Sequence, residues 1–380
     1  MGSIAEILST KVTTKAISRV AAATSRMLTL FQMNPGGANE RSQGHRRFGY
    51  DIFNDARSVA IARAPGATSA TVRRQAVGRV DGTFPRVAEK LPLLLEELHN
   101  FRKIGGQVAE FDNGGQEFIR RQQRFMGQRV ANFRLLSLAG MMRGAMYAHR
   151  VDGGDDIYYD FTSSSAAYTI DWQIPAGNKS QLNMLGGGNI IGTSWDNPVA
   201  DIPGDLLQIN KAFQRLCGSS LQLAACSSGM WNNIINNDYV ISQAGSANTP
   251  FAILQREDGN SENGLPRTTF IAQLRAVPWM LWYITDEGLD VGAQGSTTYT
   301  PFIGDNDVWF GPAPNPDYME MLLGSEPVSE GPNLPATERF GMHAYNVSTY
   351  DPAGYVLHTL DNAIPALYVP KATAYGTCVF

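Results

Sequence analysis

Apolar residues recur at spacings of mostly three, four and seven between positions 116 and 149, which is the period of one face of an α-helix. The apolar positions are Phe118, Phe125, Met126, Val130, Phe133, Leu136, Met141 and Met146. No proline interrupts the stretch, and Asp152-Gly153-Gly154 offers a turn after it. The pattern predicts a helix over residues 116–149, about 50 Å long at about 1.5 Å per residue.

A second pattern, in which apolar residues alternate with polar or basic ones, lies on both sides of Ala64-Pro65-Gly66-Ala67. This alternation about a Pro-Gly turn predicts two extended strands. The apolar positions are Val59, Ile61, Val72, Ala76 and Val80. A two-stranded ribbon is marginally stable alone, and residues 1–50 are too weakly apolar to form a core. Both segments are therefore expected to lie on a partner surface.

Short strands and helices are predicted for the rest of the chain. Residues 157–161 and 168–172 flank a Ser-rich turn and predict a hairpin, which Gly186-Gly187-Gly188 separates from a new unit. That unit has a helix through 202–216, a strand around 221–226 and a second helix from Ser227. Short β runs follow at 251–255, 268–274, 279–284, 308–311, 319–324, 341–346, 355–359 and 366–369. Such a mixture is typical of an α+β fold.

The charge of the chain is distributed unevenly. Residues 1–150 contain 23 Lys and Arg against 11 Asp and Glu, whereas residues 151–380 contain 8 against 24. A basic front half and an acidic remainder can attract another copy of the same chain, or the front half alone can attract a polyanion. The length of 380 residues and the hydrophobic fraction of 43% suffice for a substantial core.

The cysteines and the N-terminal residues favour a protein of a reducing cytosol. Cys217, Cys226 and Cys378 have no metal-type spacing, so neither a disulfide framework nor a zinc site is indicated. The N-terminal residues lack the apolar run of a signal peptide, and no stretch approaches the roughly 18 apolar residues of a membrane span. No association with a membrane is expected.

No motif for catalysis stands out. The Gly-rich run at 186–193 lacks the Lys of a phosphate-binding loop, and the acids between 152 and 160 miss the EF-hand spacing. The five histidines are scattered singly. Asp286-Glu287 is more typical of a turn than of paired catalytic carboxylates. These residues indicate no catalytic site, cofactor or metal, and we expect the protein not to be an enzyme.

Arginines dominate the polar side of the predicted helix. This basic face consists of Arg120, Arg121, Arg124, Arg129, Arg134 and Arg143, with Glu117 as an acid among them. Because arginine is a preferred phosphate partner, the ribbon and the helix could bind nucleic acid, but no helix-turn-helix or zinc-finger spacing is visible. A charge run of this kind is most often a solvated helix face, and self-association explains the same arginines together with the acidic remainder.

Three stretches carry a resemblance to a known family. The first is a helix and its exit, RVANFRLLSLAGMMRGAMYAHRVDGGDDIYYDF. The second is a Trp-centred turn, helix, strand and helix, GTSWDNPVADIPGDLLQINKAFQRLCGSSLQLAACSSGMWNNIINNDYV. The third is a run of strands, PWMLWYITDEGLDVGAQGSTTYTPFIGDNDVWFGPAPNPDYMEMLLG. In the order and composition of these elements the sequence resembles the major capsid proteins of tailed phages, specifically the lambda-type major capsid protein E family.

The resemblance implies an α+β fold of the Hong Kong 97 type, with an N-terminal arm, an extended β-ribbon loop, a long spine helix, and peripheral and axial domains. The arm would be residues 1–53 and the loop 54–91. The first part of the peripheral domain would be 92–194, with the spine helix at 116–149. The axial domain would be 195–300, and residues 301–380 would return to both domains.

The resemblance also implies a function. Members of this family self-assemble through hexamers and pentamers into an icosahedral shell around double-stranded DNA, with portal and scaffold or decoration proteins as partners. The protein would belong to the virion, after assembly in the host cytoplasm. Candidates for contacts with neighbouring subunits are Arg57, Arg63, Arg73, Arg74, Arg79 and Arg86, and the basic face of the helix would contact further neighbours or the DNA.

Three alternatives remain open from the sequence. An encapsulin-like protein compartment has the same fold. A cytosolic nucleic-acid-binding protein would use the basic front half, and an enzyme would need a site assembled from distant residues.

Overall fold

The computed structural model describes residues 26–53, 77–94, 113–151, 156–244, 250–256, 269–293, 296–329, 335–350 and 353–380. Most of the predicted ribbon, with its Pro65-Gly66 turn, lies outside these residues, as does the predicted turn at Asp152-Gly153-Gly154. The chain divides into two compact units. Unit 1 comprises Met1–Phe48, Asp81–Leu138 and Glu320–Ala366, and unit 2 comprises Gly49–Val80, Ala139–Met319 and Leu367–Phe380.

The described residues contain both helices and strands, as an α+β fold requires. The helices are α1 (Arg26–Leu30), α2 (Asn113–Arg143), α3 (Ile202–Cys217), α4 (Ser228–Ile235) and α5 (Asp238–Gln243). The first strands are β1 (Glu40–Ser42), β2 (Arg47–Phe53), β3 (Val77–Thr83), β4 (Val87–Leu94), β5 (Ala145–Arg150), β6 (Ile157–Asp160), β7 (Tyr168–Asp171), β8 (Lys179–Ser180), β9 (Leu223–Cys226), β10 (Phe251–Arg256) and β11 (Phe270–Leu274). The others are β12 (Leu281–Ile284), β13 (Gly288–Ala293), β14 (Ser296–Pro301), β15 (Asp307–Gly311), β16 (Met319–Leu323), β17 (Ser325–Val328), β18 (Thr337–Phe340), β19 (His343–Tyr350), β20 (Ala353–Asp361), β21 (Ala363–Leu367) and β22 (Ala374–Thr377).

The long helix is present, but it ends earlier than predicted. Helix α2 has 31 residues, which makes it about 46 Å long at about 1.5 Å per residue. It ends at Gly144, whose φ of 93° is open to glycine and costly for other residues. The Gly144 N–H donates to the carbonyls of Gly140 and Met141 at 2.8 and 3.1 Å and closes the last turn. The prediction that the helix continues to residue 149 is wrong, because residues 145–150 form strand β5.

The predicted hairpin of residues 157–161 and 168–172 is also wrong. Strands β6 and β7 are not neighbours: the sheet order is β6-β5-β7, and both outer strands pair antiparallel with β5. The segment that was expected to be helical therefore supplies the central strand. Met146 and Ala148 of β5 are buried, whereas Ala145 before them and Tyr147 between them are half-buried, so these four residues alternate as in a half-covered sheet.

Unit 1 contains α1, most of α2, the two-stranded sheet β17-β18 and two three-stranded sheets. The orders of the three-stranded sheets are β1-β16-β21 and β19-β20-β4. The apolar side of α2 contains the buried Ile119, Met126 and Val130. The Thr359 hydroxyl of β20 contacts the Met126 sulfur at 3.8 Å, which places the second sheet against this side of the helix.

Unit 2 contains a seven-stranded mixed sheet of order β10-β11-β12-β9-β15-β22-β8. Its core includes side chains from α3, α4 and the sheet. Trp231 lies among the rings of Phe251, Phe270 and Trp282, with centroid distances of 5.6, 6.2 and 5.7 Å. The predicted helix at 202–216 and strand at 221–226 correspond to α3 and β9, while the helix predicted from Ser227 is divided into α4 and α5.

Local sequence explains the boundaries of α3. The Asp201 carboxylate accepts a hydrogen bond from the Gly204 N–H at 3.0 Å and caps the first turn. Gly218 ends the helix with a φ of 72°.

Among the described residues, no helix has the length and apolar character that crossing a bilayer requires.

Candidate intersubunit surface

Two of the six predicted contact arginines of the ribbon lie in described residues. Arg79 is exposed on β3, and its guanidinium lies over Gly49 of β2, where an added Cβ would come within 2.9 Å of Nη2. Strands β2 and β3 form a two-stranded sheet. Arg86 follows this sheet. The other four, Arg57, Arg63, Arg73 and Arg74, lie outside the described residues.

Arg86 has a partner within its own chain. Its Nε donates to Glu326 Oε1 at 2.9 Å, and Arg46 Nη2 lies 3.5 Å from the same oxygen. The other oxygen, Oε2, accepts a hydrogen bond from Asn362 Nδ2 at 3.0 Å. Glu326 is buried, whereas both arginines are well exposed. Arg86 thus helps to neutralise a buried carboxylate, whatever further contact it makes.

Arg134 does not belong to an exposed basic face. Its side chain is 1% exposed, its Nε and Nη2 donate to the two oxygens of Asp361 at 2.6 and 3.0 Å, and its Nη1 donates to Glu40 Oε1 at 2.6 Å. Burial alone would lower the pKa of Arg134, but the charges and hydrogen bonds of Asp361 and Glu40 outweigh it and raise that pKa above its ordinary value. The prediction of a solvated or partner-binding role for Arg134 is therefore wrong.

Arg143 is also engaged within the chain. It donates to the carbonyls of Phe302 and Pro301 at 3.0 and 2.7 Å. Its guanidinium lies 4.4 Å from the ring centroid of Phe161 and 5.6 Å from that of Tyr375. These contacts belong to unit 2, and they leave Arg143 half-buried at the end of α2.

The exposed part of the basic face is consequently shorter than predicted. Arg120, Arg121 and Arg124 are exposed, and among the described residues no acidic side chain lies within ion-pair distance of them. Arg129, one turn further on, is paired with Glu89 at 2.6 Å. Phe125, between these arginines, has 51% of its surface exposed. We call Arg120, Arg121, Arg124 and Phe125 the α2 patch.

Reasoning from the sequence missed the carboxylates that neutralise these arginines. Glu40 and Asp361 lie 94 and 227 positions from Arg134, and Glu326 lies 240 positions from Arg86. It also missed the pairing of the buried Trp195 with Asp205, whose carboxylate accepts from the indole N–H at 2.9 Å. Burial raises the pKa of Asp205 to about 6, against the lowering effect of the Trp195 hydrogen bond.

Comparison with known families identifies the chain. The family model described as phage major capsid protein E matches residues 9–378. The chain belongs to this family. This member of the phage major capsid protein E family is a shell-forming protein of a bacteriophage and a component of the virion. No curated protein sequence matches the chain.

The solved structures show the fold of this capsid protein. A crystal structure described as that of a capsid protein of a prophage of E. coli CFT073 aligns with a TM-score of 0.54 at 12% identity, over 97% of this chain and 99% of that one. The prediction of a Hong Kong 97-type fold is confirmed.

Two further structures align with TM-scores below 0.5, and no conclusion depends on them. The procapsid of satellite phage P4 aligns with a TM-score of 0.40 at 7% identity, over 96% of this chain and 99% of that one. The holo-SrpI encapsulin complex of Synechococcus elongatus PCC 7942 aligns with a TM-score of 0.45 at 10% identity, over 94% and 88%.

Proposed function

We propose that copies of this chain assemble through hexamers and pentamers into an icosahedral shell that encloses the double-stranded DNA of a tailed phage. Assembly takes place in the host cytoplasm, with portal and scaffold or decoration proteins as partners. The observation that carries the proposal is the match of residues 9–378 to the phage major capsid protein E family. The role is structural, and no catalytic residue is assigned.

The parts of the chain take different roles in this proposal. Residues 1–53 are the arm, 54–91 the extended loop, 92–194 the first part of the peripheral domain, 195–300 the axial domain, and 301–380 the returning strands. Part of the arm is packed within its own chain, because Met27, Leu28 and Phe31 are buried and β1 pairs with β16, so the expectation that residues 1–50 need a partner surface does not hold for residues 26–50. The rest of the arm and the loop are the segments that contact neighbouring subunits in this proposal.

Charge supports contacts between copies. The arginines of the loop come from the basic front half of the chain, and residues 151–380 carry 24 Asp and Glu against 8 Lys and Arg. A basic loop on an acidic neighbour is a heterologous contact, which repeats around a ring. Arg57, Arg63, Arg73, Arg74 and Arg79 are the candidates, and Arg86 takes part while it also holds Glu326.

Negative-stain electron microscopy of the purified protein tests shell formation. Particles that contain DNA and a portal support the phage shell, whereas particles with an enzyme cargo identify an encapsulin-like compartment. An isolated dimer whose affinity for DNA falls steeply with salt would instead identify a nucleic-acid-binding protein.

The contact role of the loop has its own test. The double reversal R73E/R74E is expected to block assembly and to leave soluble, folded subunits. The matched control is R215E/R275E, because both arginines are exposed and the change of net charge is the same. Normal particles from R73E/R74E would contradict the role given to the loop.

A further inference from the structure

The α2 patch places like charges close together without compensation. Arg120 and Arg121 are adjacent, and Arg124 follows them by four and three residues. Their side chains therefore share one face of α2. Like charges at this spacing destabilise a helix. Arg129, in contrast, is paired with Glu89 at 2.6 Å. Nothing in the described residues of unit 1 accounts for the three unpaired arginines, and this arrangement indicates an anionic partner.

Phe125 distinguishes between kinds of anionic partner. It is 51% exposed, although Met126 and Val130 on the apolar side of the same helix are 2% and 0% exposed. The Arg129 guanidinium lies 5.6 Å from the ring centroid and leaves much of the ring in solvent. Aromatic residues and arginine are enriched at the centres of protein interfaces. Phosphate groups offer a ring no apolar contact, so the patch fits an acidic protein surface better than a DNA backbone.

An acidic surface of the matching kind lies in unit 2 of the same sequence. Tyr299 of β14 is 57% exposed, and its hydroxyl donates to the carbonyl of Asp286 at 2.7 Å. Asp290 of β13 and Asp305, which follows β14, are exposed, and among the described residues neither is in an ion pair. Asp290 lies directly opposite Tyr299 in the β13-β14 pair. The pKa of Tyr299 is raised by its partial burial and then by the nearby carboxylates, the largest effect coming from Asp286.

We propose that the α2 patch of one copy docks on the acidic surface around Asp290, Tyr299 and Asp305 of a second copy. Each surface has an exposed aromatic ring among uncompensated charges, and the two sets of charges have opposite sign. Docking brings arginines to carboxylates and covers both rings, which a partner of uniform charge such as DNA does not do. The inference rests on the proposed assembly of copies into a shell, and it adds a second contact to that of the loop.

A charge swap tests this contact. One variant is R120E/R124E, a second is D290R/D305R, and a third carries all four changes. All four positions are exposed, so the subunits are expected to remain folded, which circular dichroism and thermal melting will verify. Particle yield is measured by sedimentation and counted in electron micrographs. Each double variant is expected to lower the yield at least about tenfold, and the fourfold variant is expected to recover most of it. The control R215E/R275E is expected to assemble normally.

The outcomes separate this inference from the proposed function. If the natural chain forms shells and R120E/R124E forms them equally well, the α2 patch is not a contact between copies. Normal shells from R120E/R124E that retain less DNA would assign the patch to DNA. Loss of shells without recovery in the fourfold variant would refute the assigned acidic surface. A natural chain that forms no particles refutes the proposed function itself.

Discussion

Replacing Arg134 with Met removes the guanidinium and retains an unbranched side chain of similar shape. In the native structure, the side chain of Arg134 is 1% exposed and those of Asp361 and Glu40 are 1% and 11% exposed. R134M therefore leaves two carboxylates in a buried site without their cation. Residues from β1, α2 and β20 lose their shared ionic contact at once.

The loss of stability expected for R134M depends on the burial of the ion pairs more than on their N–O distances. Breaking a buried ion pair by removing one partner costs about 3–5 kcal/mol, because the remaining charge is uncompensated. The pair of Arg129 and Glu89 on the same helix has the same separation of 2.6 Å, but its side chains are 55% and 25% exposed. Such a pair contributes about 0–1 kcal/mol. R129M is therefore the matched control for R134M.

Urea unfolding of unassembled subunits measures both free energies. R134M is expected to have its unfolding midpoint at a much lower urea concentration than the native protein, with an unchanged dependence of the unfolding free energy on urea. The midpoint of R129M is expected to lie close to the native one. E40Q keeps an oxygen acceptor and the contact of Arg134 with Asp361, so it should lower the free energy of unfolding by about 1–2 kcal/mol. E40Q replaces R134M in the comparison if R134M does not fold. Losses for R134M and R129M that are equal within error would refute the reasoning from burial.

Two further predictions concern Gly144 and Asp205. G144A is expected to cost about 1–2 kcal/mol, because it forces a side chain into a φ of 93°, whereas G187A, which has open space and no positive φ, should leave the melting temperature unchanged. A normal melting temperature for G144A would mean that α2 does not need a glycine at its end. The pKa of Asp205, raised from 3.8 to about 6, means that the folded state holds this proton more tightly than the unfolded state. The resulting stabilisation is complete below pH 3.8 and is lost as the pH rises through about 6. The melting temperature of D205N, which cannot ionise, should therefore fall less between pH 4 and about pH 8 than that of the native protein. Parallel falls of the two melting temperatures would contradict the raised pKa.

The end of α2 shows why the sequence pattern overextended the helix. Apolar residues continue past Gly144 because Met146 and Ala148 are buried in β5. Met146 lies five positions after Met141, which fits neither the three, four and seven spacing of a helix face nor the two-residue period of a strand. The strand signal was the alternation of Met146 and Ala148, which is too short to separate β5 from the helix before it. The hairpin prediction failed for the same reason, since the central strand β5 had already been assigned to the helix.

The arginines show a different limit. Periodicity correctly placed Arg120, Arg121 and Arg124 on a polar side of α2, but it placed Arg134 there as well. The burial of Arg134 depends on Glu40 and Asp361, which reach it only through the fold. Long-range ion pairs of this kind leave no periodic signal. The order of helices and strands along the chain, in contrast, was sufficient to indicate the family and its fold.

The position of β22 has a consequence for synthesis. This strand lies between β15 and β8, so β8 has no neighbour in the seven-stranded sheet until residues 374–377 have been translated. Until then the nascent chain exposes the unpaired edge of β15, which could pair with another growing polypeptide. Completion of the seven-stranded sheet is thereby tied to translation of residues 374–377.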